Sequence, residues 1–142
     1  MSTSQQKLQV AMQYAFANRP VVGGFPFLAE CLRQAGVERN VWSLPGAQSL
    51  YVMADGVVVQ QGTPLVAGMA DVPVFDQTTL ITALRTDQSG NSTFPEFLNA
   101  AWRAGVVRYE ADFAARTVSY YGACNECYVE AYQAVEVAGM QL

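Results

Sequence analysis

One frame occurs twice in this chain and limits the available folds more than any other feature. Residues 25–39 read FPFLAECLRQAGVER, and residues 94–108, 69 positions later, read FPEFLNAAWRAGVVR. Phe25, Pro26, Ala35, Gly36, Val37 and Arg39 recur as Phe94, Pro95, Ala104, Gly105, Val106 and Arg108, and Tyr51 falls on Tyr120. Each part has a physical reading. Proline suits the first turn of a helix, where its missing amide has no intrahelical partner. The glycine permits the left-handed residue that ends a helix. Val-x-Arg then alternates inward and outward along a strand. The repeated piece reads as architecture, a helix that stops and feeds a strand, rather than a site used twice.

Spacing around the two frames predicts the remaining elements. Leu8, Met12, Ala15 and Phe16 recur at helical spacing between Ser4 and Ala17, and a second helix runs from about Pro26 to Ala35. After Gly36 the period changes. VERNVWSL and SLYVMA are split by Pro45-Gly46, and Asp55-Gly56 precedes VVVQQ, which gives three short antiparallel strands. GTPLVAGMADVPV is a long apolar connection of a kind uncommon in compact domains. Asp76 caps a third helix through about Arg85, which TDQSGNS breaks. Thr93 and Glu96 form a capping box for a fourth helix, from about Pro95 to Ala104. VVRYEAD and RTVSYYG make a hairpin, and CNECYVEAYQAV fits a short C-terminal helix. The expectation is a single α+β domain over residues 1–142, with helices packed on an antiparallel sheet of about five strands. Residues 4–60 and 76–121 are then two helix-helix-hairpin halves related by a pseudo-twofold, through true duplication or repeated use of good caps.

Composition bears on partners. Only 14% of residues are charged while 51% are hydrophobic, too little charge to cover a monomer. A homo-oligomer is expected, most simply a twofold dimer. The net charge of −4 and scattered Lys and Arg argue against nucleic acid as a partner. With no apolar run of membrane-spanning length and no basic and apolar leader in MSTSQQKLQV, no membrane partner is expected and the location reads as cytoplasmic. Three cysteines, an odd number, suit a reducing compartment.

The absence of histidine removes Ser-His-Asp and Cys-His catalysis and imidazole metal ligands. Cys124-Asn125-Glu126-Cys127 has thiol-redox or zinc spacing, but a structural zinc needs four ligands and only Cys31 remains as a sulfur donor. Coincidence outweighs metal or redox work, and no cofactor is expected. Glu110 and Asp112, two apart on one strand, share a side, most simply as a solvated edge face and otherwise as a candidate acid and base pair or hard-cation site. Asp71 lies among small apolar residues. Trp42, Tyr51, Tyr109, Tyr120 and Tyr121 concentrate in strands, as core or as a binding platform. Within WSLPGAQSLY, the polar tip Ser43, Gln48 and Ser49 beside Trp42 and Tyr51 is the best candidate contact surface.

The phrases VGGFPFLAECLRQAGVERNVWSLPGAQSLY, QGTPLVAGMADVP and LRTDQSGNSTFPEFLNAAWRAGVVRYEADFAARTVSYYG resemble the small bacterial YbcV-like proteins, sometimes labelled phage envelope protein. The resemblance covers roughly residues 18–135 and implies a compact α+β domain, often in a prophage setting, with no established activity. The Cys-x-x-Cys is not among the recurring phrases. The first functional expectation is a non-enzymatic, phage-related cytoplasmic protein acting through protein–protein interaction or self-association. The alternative is a small-molecule-binding or hydrolase-like protein, with Asp71, Glu110, Asp112 and tyrosines in a pocket between the halves. A thiol or metal protein would rest on Cys124 and Cys127 alone.

Overall fold

A computed structural model describes residues 2–142. Helix α1 (Thr3–Asn18) starts at Ser2, whose hydroxyl accepts the Gln5 amide while the Gln5 side chain accepts the Ser2 amide. It buries Leu8, Ala11 and Ala15 against α2 (Gly24–Gln34), which turns Ala29, Cys31 and Leu32 inward. Three strands follow as a meander, β1 (Val37–Ser43), β2 (Gln48–Met53) and β3 (Gly56–Gln61). A second series, α3 (Gln77–Gln88), α4 (Phe94–Arg103), β4 (Val106–Asp112), β5 (Thr117–Gly122) and β6 (Cys127–Ala131), completes the chain. Asp76 caps α3 by accepting the Thr79 amide at 3.1 Å, and Thr93 and Glu96 form the capping box of α4.

All six strands join in one antiparallel sheet ordered β3-β2-β1-β4-β5-β6. The two meanders therefore meet along β1 and β4, where Val41 faces Glu110 and Trp42 faces Tyr109. The amide of Leu44 donates to the Val107 carbonyl at 2.9 Å and that of Phe113 to the Glu38 carbonyl at 3.1 Å, which extends the seam at both ends. Positions 69 apart coincide closely. β1 and β4 have the same bounds at this offset, as do β2 and β5. The register shifts at Val37/Arg39 and Val106/Arg108 coincide too, as do the left-handed residues Ala47 and Arg116. The frame slips by one residue only at the last turn, where Ala123–Cys124–Asn125 replaces the tighter Ala54–Asp55.

Both helix pairs cover the same face of the sheet. Strand burial alternates, with Ser49, Tyr51 and Met53 inward on β2 and Tyr109, Ala111, Val118 and Tyr120 inward on β4 and β5. Leu44 and Phe113, the residues just beyond β1 and β4, are fully buried at the ends of the seam.

The expected C-terminal helix is corrected to a strand, and about five strands become six. CYVEA alternates, with Tyr128 and Glu130 turned under α3 and Cys127 and Val129 outward. Asn125 adopts φ 64°, which suits the left-handed position of a three-residue hairpin loop. Such an alternation over five residues is hard to tell from one helical turn. Beyond β6 the tail runs back to the first half. The Tyr14 hydroxyl donates to the Ala138 carbonyl at 2.8 Å, the Gln34 amide donates to the Val137 carbonyl at 3.0 Å, and Tyr132 packs edge-on against Phe25. Helix α3 also outruns its expected end at Arg85, because Gln88 and Arg85 both hold Glu130 of β6.

Two helix-ending glycines differ in their surroundings. Gly36 and Gly105 have φ of 94° and 86°. A Cβ on Gly36 would meet nothing within 4 Å, whereas one on Gly105 would lie 2.5–2.7 Å from the Val74–Phe75 backbone. The long connection is pinned there, and the Asp76 amide donates to the Ala104 carbonyl at 2.8 Å. Gly36→Ala should therefore cost about 1–2 kcal/mol of conformational strain, and Gly105→Ala clearly more, since backbone must also move. Urea unfolding of the two variants checks this ordering, and equal losses would contradict the tight docking of Phe75.

Candidate functional site

The covered face carries an unbroken row of aromatic rings. Trp42, Tyr109, Tyr120 and Tyr128 are successive cross-strand neighbours from β1 to β6, because each sits at an inward position in register with the next. Ring centroids are 6.2, 5.5 and 6.5 Å apart along the row, and Phe94 from the start of α4 closes on Trp42 edge-on at 5.1 Å. Such pairs add to sheet stability beyond area burial. Burial pushes the Tyr109 hydroxyl well above its ordinary range, with the neighbouring Tyr120, Tyr51 and Asp87 adding to the shift. Tyr120 is raised for the same first reason, with Glu130 next. Both stay neutral hydroxyls at physiological pH, unsuited to act as bases. The Ser49 hydroxyl in the same layer is fully buried and has no hydrogen-bond partner among the described residues.

Two carboxylates that sequence reasoning missed lie at the rim of this row. Asp87, near the end of α3, is half-buried and accepts the Ser92 hydroxyl at 3.2 Å. Burial raises its pKa, against the pull of Ser92 and of the Arg19 charge. Glu130 accepts from Arg85 at 2.8 Å, from Tyr128 at 2.7 Å and from Gln88 at 2.8 Å. Burial alone would raise it, but these three donors together outweigh burial and hold it below its ordinary value. The set latches β6 to α3. Recognising CYVEA as a strand is the signal that would have turned Glu130 inward.

The structure separates the residues expected to act together. Trp42, Tyr51 and Tyr120 face the helices, and Tyr51 and Tyr120 are 3% and 6% exposed, so the WSLPGAQSLY hairpin does not present its aromatics as a contact surface. Glu110 and Asp112 lie on the opposite, open face. Asp112 accepts the amides of Ala114 and Ala115 at 3.1 and 3.0 Å and so shapes the β4–β5 turn. Glu110 lies 3.9 Å from Arg108, whose guanidinium stacks 3.9 Å over the Tyr121 ring. Asp71 is exposed in the connection between β3 and α3. Cys124 and Cys127 are free and exposed at the β5–β6 turn, and the described residues contain no group of three or more Cys, Asp or Glu able to hold a metal. Burial raises the third thiol, Cys31. A shallow groove of about 270 Å³ lies between α3 and α4, lined by Thr79, Thr82, Thr86, Ser92, Glu96 and Arg103 among others, and no expected site residue lines it.

The open face differs between its two halves. Over β1–β3 its middle is aliphatic, with Val41, Leu50, Val52, Val57 and Val59, of which Val57 and Val59 are 60% and 56% exposed, and it is bordered by Arg39 beside Val52 and by Ser43, Gln48 and Gln61 at the other end. The corresponding places over β4–β6 hold Glu110, Ser119, Tyr121, Cys127 and Val129.

These features define a class, an α+β domain with a six-stranded antiparallel sheet covered by helices on one side only. The chain belongs to a family described as a protein of unknown function, DUF1398, whose model matches residues 13–131. It is 53% identical over 139 residues to the uncharacterized proteins Mb2035 of Mycobacterium bovis and Rv2012 of Mycobacterium tuberculosis. Those matches span 98% of this chain and 85% of each relative. No helix among the described residues is long and apolar enough to cross a membrane.

The two rim carboxylates make opposite predictions. Glu130, held low, stabilises the fold above its unfolded pKa, and that contribution fades as pH falls through its lower folded value. Glu130→Gln should cost about 1–2 kcal/mol at pH 7, since Arg85 is 54% exposed and screened, and much less in acid. Asp87 is raised, so its ionised form opposes folding as pH rises through that value, and Asp87→Asn should raise the melting temperature at pH 7 with the gain vanishing in acid. Thermal melts of both variants across pH 3–8 check the two signs.

Proposed function

We propose that this chain acts by self-association through its first half, β1–β3, as a contact module rather than as a catalyst. One observation carries this reading. Between positions 69 apart, the covered face keeps its packing residues, with Ala35 and Ala104, Val37 and Val106, and Tyr51 and Tyr120 all buried. On the open face the same offset exchanges Val41 for Glu110, Leu50 for Ser119 and Val52 for Tyr121. Aliphatic side chains that adjoin one another on an uncovered sheet face form a contiguous apolar patch, and such patches mark contacts. The low charge content supports the same reading.

The coinciding strand bounds, register shifts and left-handed positions support a duplicated unit whose two open faces have diverged. The work then falls to the aliphatic copy, with the polar copy, held by Arg108, Glu110 and Tyr121, as its scaffold. A phage-related setting is the finer context the sequence resemblance suggests.

Light scattering of the purified chain should give a mass above one copy at micromolar concentration. The double variant Leu50→Lys/Val57→Lys should weaken assembly about tenfold or more while circular dichroism shows the chain still folded, since both side chains reach the surface of the single chain. Ser119→Lys, on the polar half, should leave assembly unchanged. A wild-type chain that stays monomeric removes the reading.

A further inference from the structure

The open sheet has two free edges, β3 and β6, and they differ in how well they are guarded. Unpaired edges invite strand addition, and proteins block them with charges, proline or bulges. β3, GVVVQQ, has no charge, no proline and no register shift against β2. The helix over it, α1, carries one charged residue, Lys7, which is paired with Asp55 at 3.2 Å. Exposed positions on α1 are otherwise uncharged, among them Gln6, Gln9, Val10, Gln13 and Phe16. The opposite flank, β6 with α3, holds Glu130, Arg85 and Asp87. The β3 strand is therefore itself uncharged, and the α1 helix beside it carries a single charge, paired at the β2–β3 turn, whereas β6 carries Glu130 within the strand.

The hydrogen-bond parity of β3 is fixed. The Gly62 amide donates to the Ala47 carbonyl at 2.7 Å, continuing the register in which Gln61 faces Gln48 and Gly56 faces Met53. Antiparallel residues alternate between bonded and non-bonded positions. Gly56, Val58 and Gln60 therefore spend their amides and carbonyls on β2, and those of Val57, Val59 and Gln61 point away from the sheet, unpaired. These same three residues also direct their side chains to the open face.

We propose that a second copy of this chain pairs antiparallel along β3, on a twofold axis through Val59. That register sets Val59 against Val59 and Val57 against Gln61 of the second copy. It is the register that uses all three outward-facing residues and keeps open-face side chains with open-face side chains. The strand meets both conditions against itself, as an isologous contact requires, and its neutrality sets no charge against its like. Edge pairing of six residues buries less than the roughly 800 Å² per partner of a stable interface. The rest comes from α1, which lies over β3 and brings a flank whose one charge, Lys7, is paired with Asp55 beside that of the second copy on the covered side. On the open side Val57 and Val59 gain cross-strand neighbours in Gln61 and Val59 of the second copy, and the two aliphatic halves lie side by side as one surface centred on the axis, which the edge pairing itself does not cover. The inference rests on the self-association reading above and specifies its seam.

Proline at position 59 tests the seam, because it removes an amide that points away from β2 and leaves the β2–β3 ladder its own bonds. Sedimentation equilibrium of the full chain should give twice the monomer mass, and Val59→Pro should dissociate it at least about tenfold more readily. Val129→Pro, on the β6 edge at the matching outward parity, should leave the dimer intact. Amide exchange at Val57, Val59 and Gln61 should slow as protein concentration rises. If circular dichroism shows Val59→Pro unfolded, Val57→Lys/Val59→Lys replaces it with the same expected dissociation. An oligomer that keeps its mass in a folded β3 variant overturns the seam and leaves self-association standing. A wild-type monomer at about 100 μM overturns both and leaves the edge to a different chain.

Discussion

The antiparallel pairing of β1 with β4 is the contact on which the rest of the structure depends. Each half has two helices and a three-stranded meander, and a lone meander with one apolar face is marginal in water. Joining at β1 and β4 converts the innermost edge of each into the middle of one sheet, and places Trp42 beside Tyr109 so that one aromatic row spans both halves. Leu44 and Phe113 close the ends of this seam from within the turns, where their amides bond across to Val107 and Glu38. Without the seam neither half has a reason to hold its outer strands.

The connections reinforce it by crossing. The chain after β3 passes to the second half, where Phe75 lies against Gly105 and Gly122, and the chain after β6 passes to the first half, where Tyr132, Val137 and Ala138 meet Phe25, Gln34 and Tyr14. Each half is thus clasped by the segment that leaves the other. The long apolar connection, which looks like a candidate functional loop by composition, is a clasp at both of its ends, with Gly62 and Leu65 bonded to Ala47 and Pro45 and Asp76 bonded to Ala104.

The fold was legible where one local signal carried the element. Thr93 with Glu96, Gly36, Gly105 and the Asp55-Gly56 turn each determine a start, a stop or a reversal within a few residues. It was not legible where the deciding partner was distant. β6 is a strand because Tyr120 offers a ring to Tyr128 and α3 offers Arg85 and Gln88 to Glu130, and neither fact is visible in CYVEA itself. The placement of the candidate site residues was hidden for a related reason. Residue type marked Trp42, Tyr51, Tyr120, Glu110 and Asp112 as interesting, but which face each occupies depends on register, and register put the aromatics and the carboxylates on opposite sides of the sheet.

Sidedness is also what connects the packing to the function proposed for the chain. The helix-covered face must satisfy a packed layer, so corresponding positions in the two halves hold similar volumes, as with Val37 and Val106 or Leu44 and Phe113. The open face meets no layer within one chain, and there the two halves are free to differ. They differ most in their middles, where Val41, Leu50 and Val52 stand against Glu110, Ser119 and Tyr121, and the uncharged edge β3 and helix α1, whose one charge is paired with Asp55, lie on the aliphatic side. The charge that is scarce in the whole chain is scarcest on that flank. A sheet of this construction therefore concentrates on a single side both of the properties, free backbone groups and water-exposed apolar surface, that another β-strand is best shaped to satisfy.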